Sequence, residues 1–255
     1  MTRSSLSRSM LILLIVCGVI ISLCMGLRQS LGLFMRPLTL DLGVSAATFG
    51  FAIALQNIVW GISQPLIGAM ADRYGARPVL IGTALIFAAG LVVMALSNGA
   101  LGLNLAGFLI GVGIAGSGFG VLIGVVTRAT PIEKRSQTVG AVAAIGSLGT
   151  MIIAPAGQAL IDRFDWHVAL FVFAGIAVCM GLLSLIIREQ APNQEAIVRP
   201  SLASLGVAFR EATKHRGFIA MGTAYFACGF QLVFITTHLP QYLEICGASP
   251  ALGAT

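Results

Sequence analysis

The chain has 255 residues, of which 57% are hydrophobic and 9% charged, with a net charge of +6. Because soluble domains carry roughly 25% charged residues, this composition excludes an ordinary soluble domain and predicts a membrane protein. The basic excess follows the membrane topology described below and requires no nucleic-acid partner.

Seven apolar segments are long enough to cross about 30 Å of hydrocarbon, which takes roughly 20 helical residues. They cover residues 10–35, 47–71, 78–97, 102–127, 137–161, 167–187 and 217–240. Their continuous apolar character favours helices over barrel strands, which alternate in polarity. The first segment is longer than the apolar core of a signal peptide and is interpreted as a retained helix. The sequence predicts an all-α polytopic membrane protein.

The basic residues are divided unequally between the two ends of these helices. Twelve of the fifteen fall on the side of the N-terminus, whereas Arg36 and Arg163 fall on the other side and Arg28 lies within the first helix. By the positive-inside rule, this division predicts a cytoplasmic N-terminus. We expect a multi-pass protein of the cell's inner (plasma) membrane.

An internal repeat is found when residues 65–80 are aligned with residues 155–170. Five of the sixteen positions are identical, including Asp72-Arg73 with Asp162-Arg163. Each copy lies at the end of the second helix of a three-helix set. The two copies are three membrane spans apart, and an odd number of spans places them on opposite sides of the membrane. A 3+3 inverted repeat is typical of secondary transporters. Chance similarity between apolar stretches is the alternative.

The sequence divides into three parts. Residues 1–190 are predicted to form a six-helix bundle. Residues 191–216 are predicted to be a cytoplasmic linker whose second part, from Ser201, forms a helix on the membrane surface. Residues 217–255 contain the first helix of a second bundle, followed by an external turn around Pro250, after which the chain is apparently truncated.

A spaced polar motif lies between the second and third helices, with Gly68, Asp72, Arg73, Gly75 and Arg77 at its fixed positions. It resembles the signature of the major facilitator superfamily, and the resemblance covers the whole chain. The resemblance implies a gating role, in which these residues govern the switch between inward-open and outward-open states. Gly68 would permit close helix approach, Gly75 a tight turn, and Asp72 a helix cap or an ion pair. Arginines that only anchor the topology are the alternative.

Within that superfamily the chain is most similar to bacterial relatives of the monocarboxylate transporters, on the residues Gly26-Leu-Arg-Gln-Ser-Leu-Gly-Leu-Phe34. Arg28 matches the position where that family often has a cationic residue. A charge at the bilayer centre costs about 2.5–3.5 kcal/mol on insertion scales, so it normally faces a cavity or a partner. A guanidinium there binds a carboxylate by two parallel hydrogen bonds. In the alternative interpretation, Arg28 extends to the outer head groups and anchors the helix.

The fold of the resembled family implies that helices one, four and seven surround a central cavity, and the second helix adds polar residues nearby. A polar side chain in a bundle is as often a contact between helices as a ligand contact. The predicted substrate-binding residues are Arg28, Gln29, Asn57, Ser117, Phe119, Gln231 and Phe234.

The predicted function is secondary active transport of a small, monocarboxylate-like organic anion across the lipid bilayer by alternating access, as in a symporter, with protons as a candidate coupling ion. The sequence has no metal-ligand spacing, no catalytic motif and no cofactor motif, with Asp and Glu expected only in loops, so no enzyme is predicted. The alternatives are export of another solute or drug, and a truncated half that does not transport. A seven-helix retinal protein is disfavoured because the seventh helix lacks a lysine and the N-terminus is predicted inside.

Overall fold

The computed structural model describes residues 8–187, 206–207 and 210–247, and within them seven helices are long and apolar enough to cross a membrane. Their number and order confirm the all-α membrane fold that the sequence predicts. The bounds are α1, Arg8–Asp41; α2, Ala46–Tyr74; α3, Ala76–Ala95; α4, Ala100–Ala129; α5, Ile132–Arg163; α6, Trp166–Ile186; and α7, Arg216–Ile245. We call the side on which α1 begins the N-terminal side.

The first helix is longer and less regular than predicted. It consists of an α-helix Arg8–Gln29, a 3-10 helix Ser30–Phe34 and a second α-helix Met35–Asp41. The predicted segment ends at residue 35, whereas the helix continues through Arg36 and Pro37. Proline is tolerated in the first turn of a helix, where its missing N–H has no helical partner, so the second α-helix accommodates Pro37.

The predicted charged loop between the second and third helices is a single residue. Asp72 and Arg73 lie in the last turn of α2, and only Gly75 separates α2 from α3. Gly75 has φ +93°, which favours glycine, and its N–H donates to the Ala71 carbonyl oxygen at 2.9 Å.

The expectation that acidic residues lie only in loops is wrong, since Asp72, Asp162 and Glu244 lie in helices.

The fourth helix contains a break that the sequence did not predict. An α-helix Ala100–Ser117 ends at Gly118, which has extended backbone, and a second α-helix Phe119–Ala129 follows. Glycines of the first segment lie directly against neighbouring helices: a Cβ on Gly111 would lie 2.5 Å from the Gln56 carbonyl oxygen, and one on Gly113 would lie 2.5 Å from Phe87 Cβ. Such small residues allow the backbones of membrane helices to approach closely.

The packing of the first six helices follows the predicted 3+3 repeat. Helix α1 packs along α5, and α4 packs along α2, so the first helix of each set pairs with the second helix of the other. Helix α3 packs against both α4 and α6. In the interior, the rings of Phe34 and Phe173 meet edge to face with centroids 5.5 Å apart, which joins α1 to α6. The six helices form one bundle around this core.

The seventh helix contacts the bundle only near its C-terminal end. Residues 216–232 are exposed, whereas Thr237 and Pro240 are buried against the bundle. The helices α1 and α7 thus meet on the side opposite the N-terminal side and separate toward the N-terminal side. The predicted surface helix from Ser201 and the turn around Pro250 lie largely outside the described residues, and the predicted three-part division stays a prediction.

Candidate functional site

A partly buried arginine within α1 is the centre of the candidate site. Arg28 Nη2 donates to Asn57 Oδ1 on α2 at 3.0 Å, and its guanidinium carbon lies 4.7 Å from the centroid of the Trp60 ring. Its Nε is buried and has no hydrogen-bond partner among the described residues. A buried donor without a partner is unfavourable, so this N–H is available to a ligand.

Asn57 is held in one orientation by its own helix. Its Nδ2 donates to the Ile53 carbonyl oxygen at 2.7 Å, which leaves Oδ1 facing Arg28. Trp60 lies three residues further along α2 and therefore on the same face. The guanidinium carbon lies over its ring, in a cation–π contact of a kind that contributes about 2 kcal/mol or more when desolvated. Asn57 and Trp60 therefore hold Arg28 from the same face of α2.

Two more buried polar atoms on α2 have no partner in the described part of the chain, Gln56 Oε1 and Trp60 Nε1. Gln56 is almost completely buried and lines the same cavity as Arg28. A buried polar group without a partner calls for an explanation such as a water or a ligand. The cavity is therefore lined by a donor from Arg28 and an acceptor from Gln56, neither of which has a partner in the described residues, whereas Trp60 does not line it.

The cavity beside Arg28 lies where α1, α2 and α7 meet. Its volume is about 10 Å³, which is room for about one water molecule. A carboxylic acid needs more space, so the helices must separate here before a ligand of that size can enter. The lining residues are Arg28, Gln29, Leu31, Gly32, Ile53, Gln56, Asn57, Val233, Thr236 and Thr237.

Three of the seven predicted substrate-binding residues, Arg28, Gln29 and Asn57, line this cavity, and the other four do not. Ser117 is buried at the break in α4, with its Oγ 3.3 Å from Thr83 Oγ1 on α3. Phe119 begins the second segment of α4 and faces α5, where its Cζ would lie 3.6 Å from a Cβ on Gly146.

The two predicted residues on α7 are exposed. Gln231 is exposed, and Phe234 is 58% exposed. Phe234 belongs to a row of aromatic rings spaced four residues apart, with Phe230 at 6.3 Å and His238 at 5.2 Å between centroids. In place of Gln231 and Phe234, α7 presents Val233, Thr236 and Thr237 to the cavity.

The helix α7 closes the cavity on the side opposite the N-terminal side. A Cβ on Gly32 would overlap the Thr236 carbonyl oxygen, and a Cβ on Gly50 would lie 3.4 Å from His238 Cε1. Arg36 and Glu244 form an ion pair beyond these contacts. Access to Arg28 is therefore blocked from this side, whereas the exposed first half of α7 leaves the N-terminal side open.

The predicted gating residues lie together at the N-terminal side of the bundle. Asp72 accepts a 2.8 Å hydrogen bond from Arg128 Nη1 at the end of α4, and both side chains are exposed. The Arg73 guanidinium carbon lies 5.3 Å from the Tyr74 ring centroid, and Arg77 is exposed at the start of α3. A Cβ on Gly68 would meet open space, so the close helix approach predicted for Gly68 is not made within the described residues.

Comparison with known proteins identifies the family. The model of the Major Facilitator Superfamily matches residues 9–255. Monocarboxylate transporter 11 of Mus musculus is 29% identical over 229 residues, which is 86% of this chain and 49% of the relative. Multidrug resistance protein MdtH of Aeromonas hydrophila is 27% identical over 220 residues, 84% of this chain and 52% of the relative. The chain thus spans about half the length of the curated relatives that it matches.

The fold has a solved counterpart at low sequence identity. A bacterial homolog of the human lysosomal transporter Spinster, in an inward-facing and unoccupied conformation, superposes with a TM-score of 0.72 at 18% identity. The match covers 98% of this chain and 59% of that structure. At this identity the likeness establishes the arrangement of helices and leaves the ligand to be argued from the site.

Proposed function

Because the chain belongs to the major facilitator superfamily, a family of membrane transporters and not of enzymes, we propose that it forms the first half of a secondary transporter for a small organic anion. In this proposal Arg28 binds the carboxylate of the anion. The single observation that carries it is a partly buried guanidinium, without an acidic partner in the described residues, beside a small cavity.

The unused donors of Arg28 fit a carboxylate. Nη2 is bonded to Asn57, whereas Nε has no partner in the described residues. A carboxylate binds an edge of a guanidinium with two parallel N–H···O bonds. An isolated buried charge is strongly unfavourable, so an anionic substrate compensates Arg28 more fully than the neutral amide of Asn57.

The geometry of α7 supports alternating access to this site. The cavity holds about one water molecule, and α7 closes it on one side through the contacts of Gly32 and Arg36. If α7 moves away from α1 there, the cavity widens toward that side. Rocking of two bundles about a central site is the mechanism of this class of transporter. The positive-inside rule places the present opening toward the cytoplasm.

Drug export is the second candidate, because Multidrug resistance protein MdtH is nearly as similar as Monocarboxylate transporter 11. The two functions make opposite demands on Arg28. A guanidinium attracts a carboxylate and repels a cationic drug. A neutral residue at this position therefore abolishes anion uptake, whereas it preserves or improves transport of a cation.

The experiment compares Arg28→Gln with Arg28→Lys in proteoliposomes that contain the protein with both bundles. Radiolabelled acetate, pyruvate and benzoate are the anionic substrates, and ethidium is the cationic one. We expect Arg28→Gln to abolish uptake of the preferred anion and Arg28→Lys to retain part of it, because a lysine keeps the charge and loses the planar fork. Equal membrane insertion of all variants is the control.

Two outcomes contradict the proposal. If Arg28→Gln takes up anions like the wild type, Arg28 is a membrane anchor. If the wild type transports ethidium and none of the acids, the drug-export function replaces the anion function.

We propose protons as the coupling ion. An imposed pH gradient should then drive uptake of the anion, and a protonophore should stop it.

A further inference from the structure

A large groove separates α2 from α3 on the N-terminal side of the bundle. Its volume is about 610 Å³, which is within the range of sites that bind small organic ligands. The two helices diverge from their junction at Gly75, and α4 forms the floor between them. The lining residues are Ile67, Met70 and Tyr74 of α2, Pro78, Val79, Gly82, Thr83 and Ile86 of α3, and Val112 of α4.

The wall of the groove is largely apolar. The buried hydroxyl in it, that of Thr83, donates to the Val79 carbonyl oxygen at 2.8 Å and is thereby satisfied. A Cβ on Gly82 would meet no atom within 4 Å, so the groove extends to the backbone of α3. Met70 and Tyr74 at its rim are 48% and 62% exposed. The groove is thus open to the outside of the described six-helix bundle.

Positive charge lies at one end of this groove. Arg73 stacks over the ring of Tyr74, a groove residue, at 5.3 Å. The nearby carboxylate of Asp72 is already bonded to Arg128 at 2.8 Å. An exposed arginine therefore lies at the rim of an apolar channel at the level where α2 ends, on the side predicted to face the cytoplasm.

We propose that this groove binds an anionic phospholipid, with an acyl chain between α2 and α3 and the phosphate at Arg73. Basic pockets between membrane helices on the cytoplasmic side bind anionic lipid head groups, and here the charge is continuous with a channel that accepts the chain. The bilayer supplies this ligand wherever the protein resides. The site is separate from Arg28 and does not depend on the proposed anion transport.

The test fills the groove at Gly82. Gly82→Leu places a side chain in the empty space without a backbone clash, and Gly175→Leu on α6 is the matched control, since a Cβ there also meets nothing within 4 Å. The protein is reconstituted in nanodiscs of equal phosphatidylglycerol and phosphatidylcholine, and lipids that remain bound are counted by native mass spectrometry. We expect the wild type and Gly175→Leu to retain one phosphatidylglycerol, and Gly82→Leu to show at least tenfold lower occupancy.

A second pair of variants tests the head-group contact. The variant Arg73→Gln should lose the preference for phosphatidylglycerol over phosphatidylcholine, whereas Gly82→Ala, which leaves most of the groove empty, should keep it. Elution as a monodisperse peak in gel filtration shows that each variant is folded. Equal occupancy in Gly82→Leu and the wild type would overturn the proposal. So would a wild type that retains no lipid, because another part of the protein then covers the groove.

Discussion

Arg36 of α1 and Glu244 of α7 form an ion pair although they are 208 residues apart in the chain. The pair joins the six-helix bundle to the seventh helix at the end of α1 that lies opposite the N-terminal side. Below it, Gly32 allows α1 to approach the backbone of Thr236. The ion pair and this crossing together hold the bundle and α7 closed on that side.

The first prediction is that charge repulsion at this pair opens the closed side. In Arg36→Glu, two carboxylates face each other, and the state that separates α7 from α1 should become more populated. Because the Glu244 side chain is only 14% exposed, we take the upper end of the range for surface ion pairs, about 1 kcal/mol, and expect a change of about fivefold. The readout is the labelling rate of a cysteine at Thr237, a cavity residue, by a membrane-impermeant maleimide in a protein without its native cysteines.

The charge-swapped variant Arg36→Glu/Glu244→Arg is the control for this prediction. It restores attraction between the same positions and should return the labelling rate to that of the wild type. Labelling of the swapped protein as fast as in Arg36→Glu would show that the ion pair does not hold the closed side. The contact between Gly32 and the backbone of Thr236 would then be sufficient to hold this side closed.

The second prediction concerns the crossing of α1 and α5, where two glycines meet. A Cβ on Gly149 would overlap the Ser22 carbonyl oxygen, and a Cβ on Gly26 would lie 2.6 Å from the Gly149 carbonyl oxygen. Gly149→Leu should therefore force the helices apart, and overpacking costs about 1–3 kcal/mol or more. Gly140→Leu on the same helix meets open space and should be neutral or stabilising. Equal thermal stability of the two variants in detergent would contradict the packing.

The third prediction separates folding from gating within the spaced polar motif. Gly75 has φ +93° at the junction of α2 and α3, and forcing another residue into such a conformation costs about 1–3 kcal/mol. Gly75→Ala should therefore lower thermal stability. Gly68→Ala places a methyl group in open space and removes a helix-destabilising glycine, so it should preserve or raise stability.

Transport by the Gly68→Ala variant then reports on gating. If Gly68 approaches a part of the protein outside the described residues when the transporter changes state, Gly68→Ala should slow uptake at full thermal stability. Unchanged uptake would remove Gly68 from the gating proposal. A stability loss in Gly68→Ala as large as that in Gly75→Ala would instead mean that its surroundings are already packed.

The positions of the membrane helices could be predicted from the sequence because hydrocarbon thickness sets their length. Their ends could not, for a physical reason: charged side chains extend toward water while their backbone stays helical. The predicted first segment therefore ends before Arg36, and Asp72 is predicted to lie between helices, although both residues are helical. Hydropathy records the charge of a side chain and carries no information on whether the backbone continues as a helix.

The candidate site was predictable in part. Arg28 stood out as a charge within an apolar segment, whereas Trp60 was missed although its spacing of three residues from Asn57 places it on the same helix face. Gln231 and Phe234 do not line the cavity because the rotation of α7 follows from the contact between Gly32 and Thr236. The sequence of α7 alone does not predict that contact.

The fourth prediction is that Trp60 positions Arg28 for substrate. The ring lies 4.7 Å from the guanidinium, and Trp60→Leu removes the cation–π contact, whereas Trp60→Phe keeps a weaker one. We expect the KM for the anion to rise about tenfold in Trp60→Leu, which corresponds to about 1.4 kcal/mol, and less in Trp60→Phe. A fall in kcat at unchanged KM would assign Trp60 to the helix movement and not to positioning.

The fifth prediction uses the hydrogen bond between Arg28 and Asn57. Asn57→Asp keeps the shape of the side chain and puts a carboxylate 3.0 Å from Arg28 Nη2, where the amide oxygen is now. The resulting internal ion pair competes with an anionic substrate for the same guanidinium, so uptake should fall by at least tenfold. Thermal stability should be equal or higher, because a partly buried charge gains a partner.

The matched variant for this prediction is Asn57→Leu, which removes the bond without supplying a competing charge. It should keep more uptake than Asn57→Asp, since Arg28 stays free for the substrate. If Arg28 only anchors α1 in the membrane, we expect the reverse order of uptake. In that case the ion pair formed in Asn57→Asp leaves transport unchanged. The loss of the hydrogen bond in Asn57→Leu is then the larger disturbance. The order of uptake in these two variants thus distinguishes a substrate-binding arginine from an anchoring one.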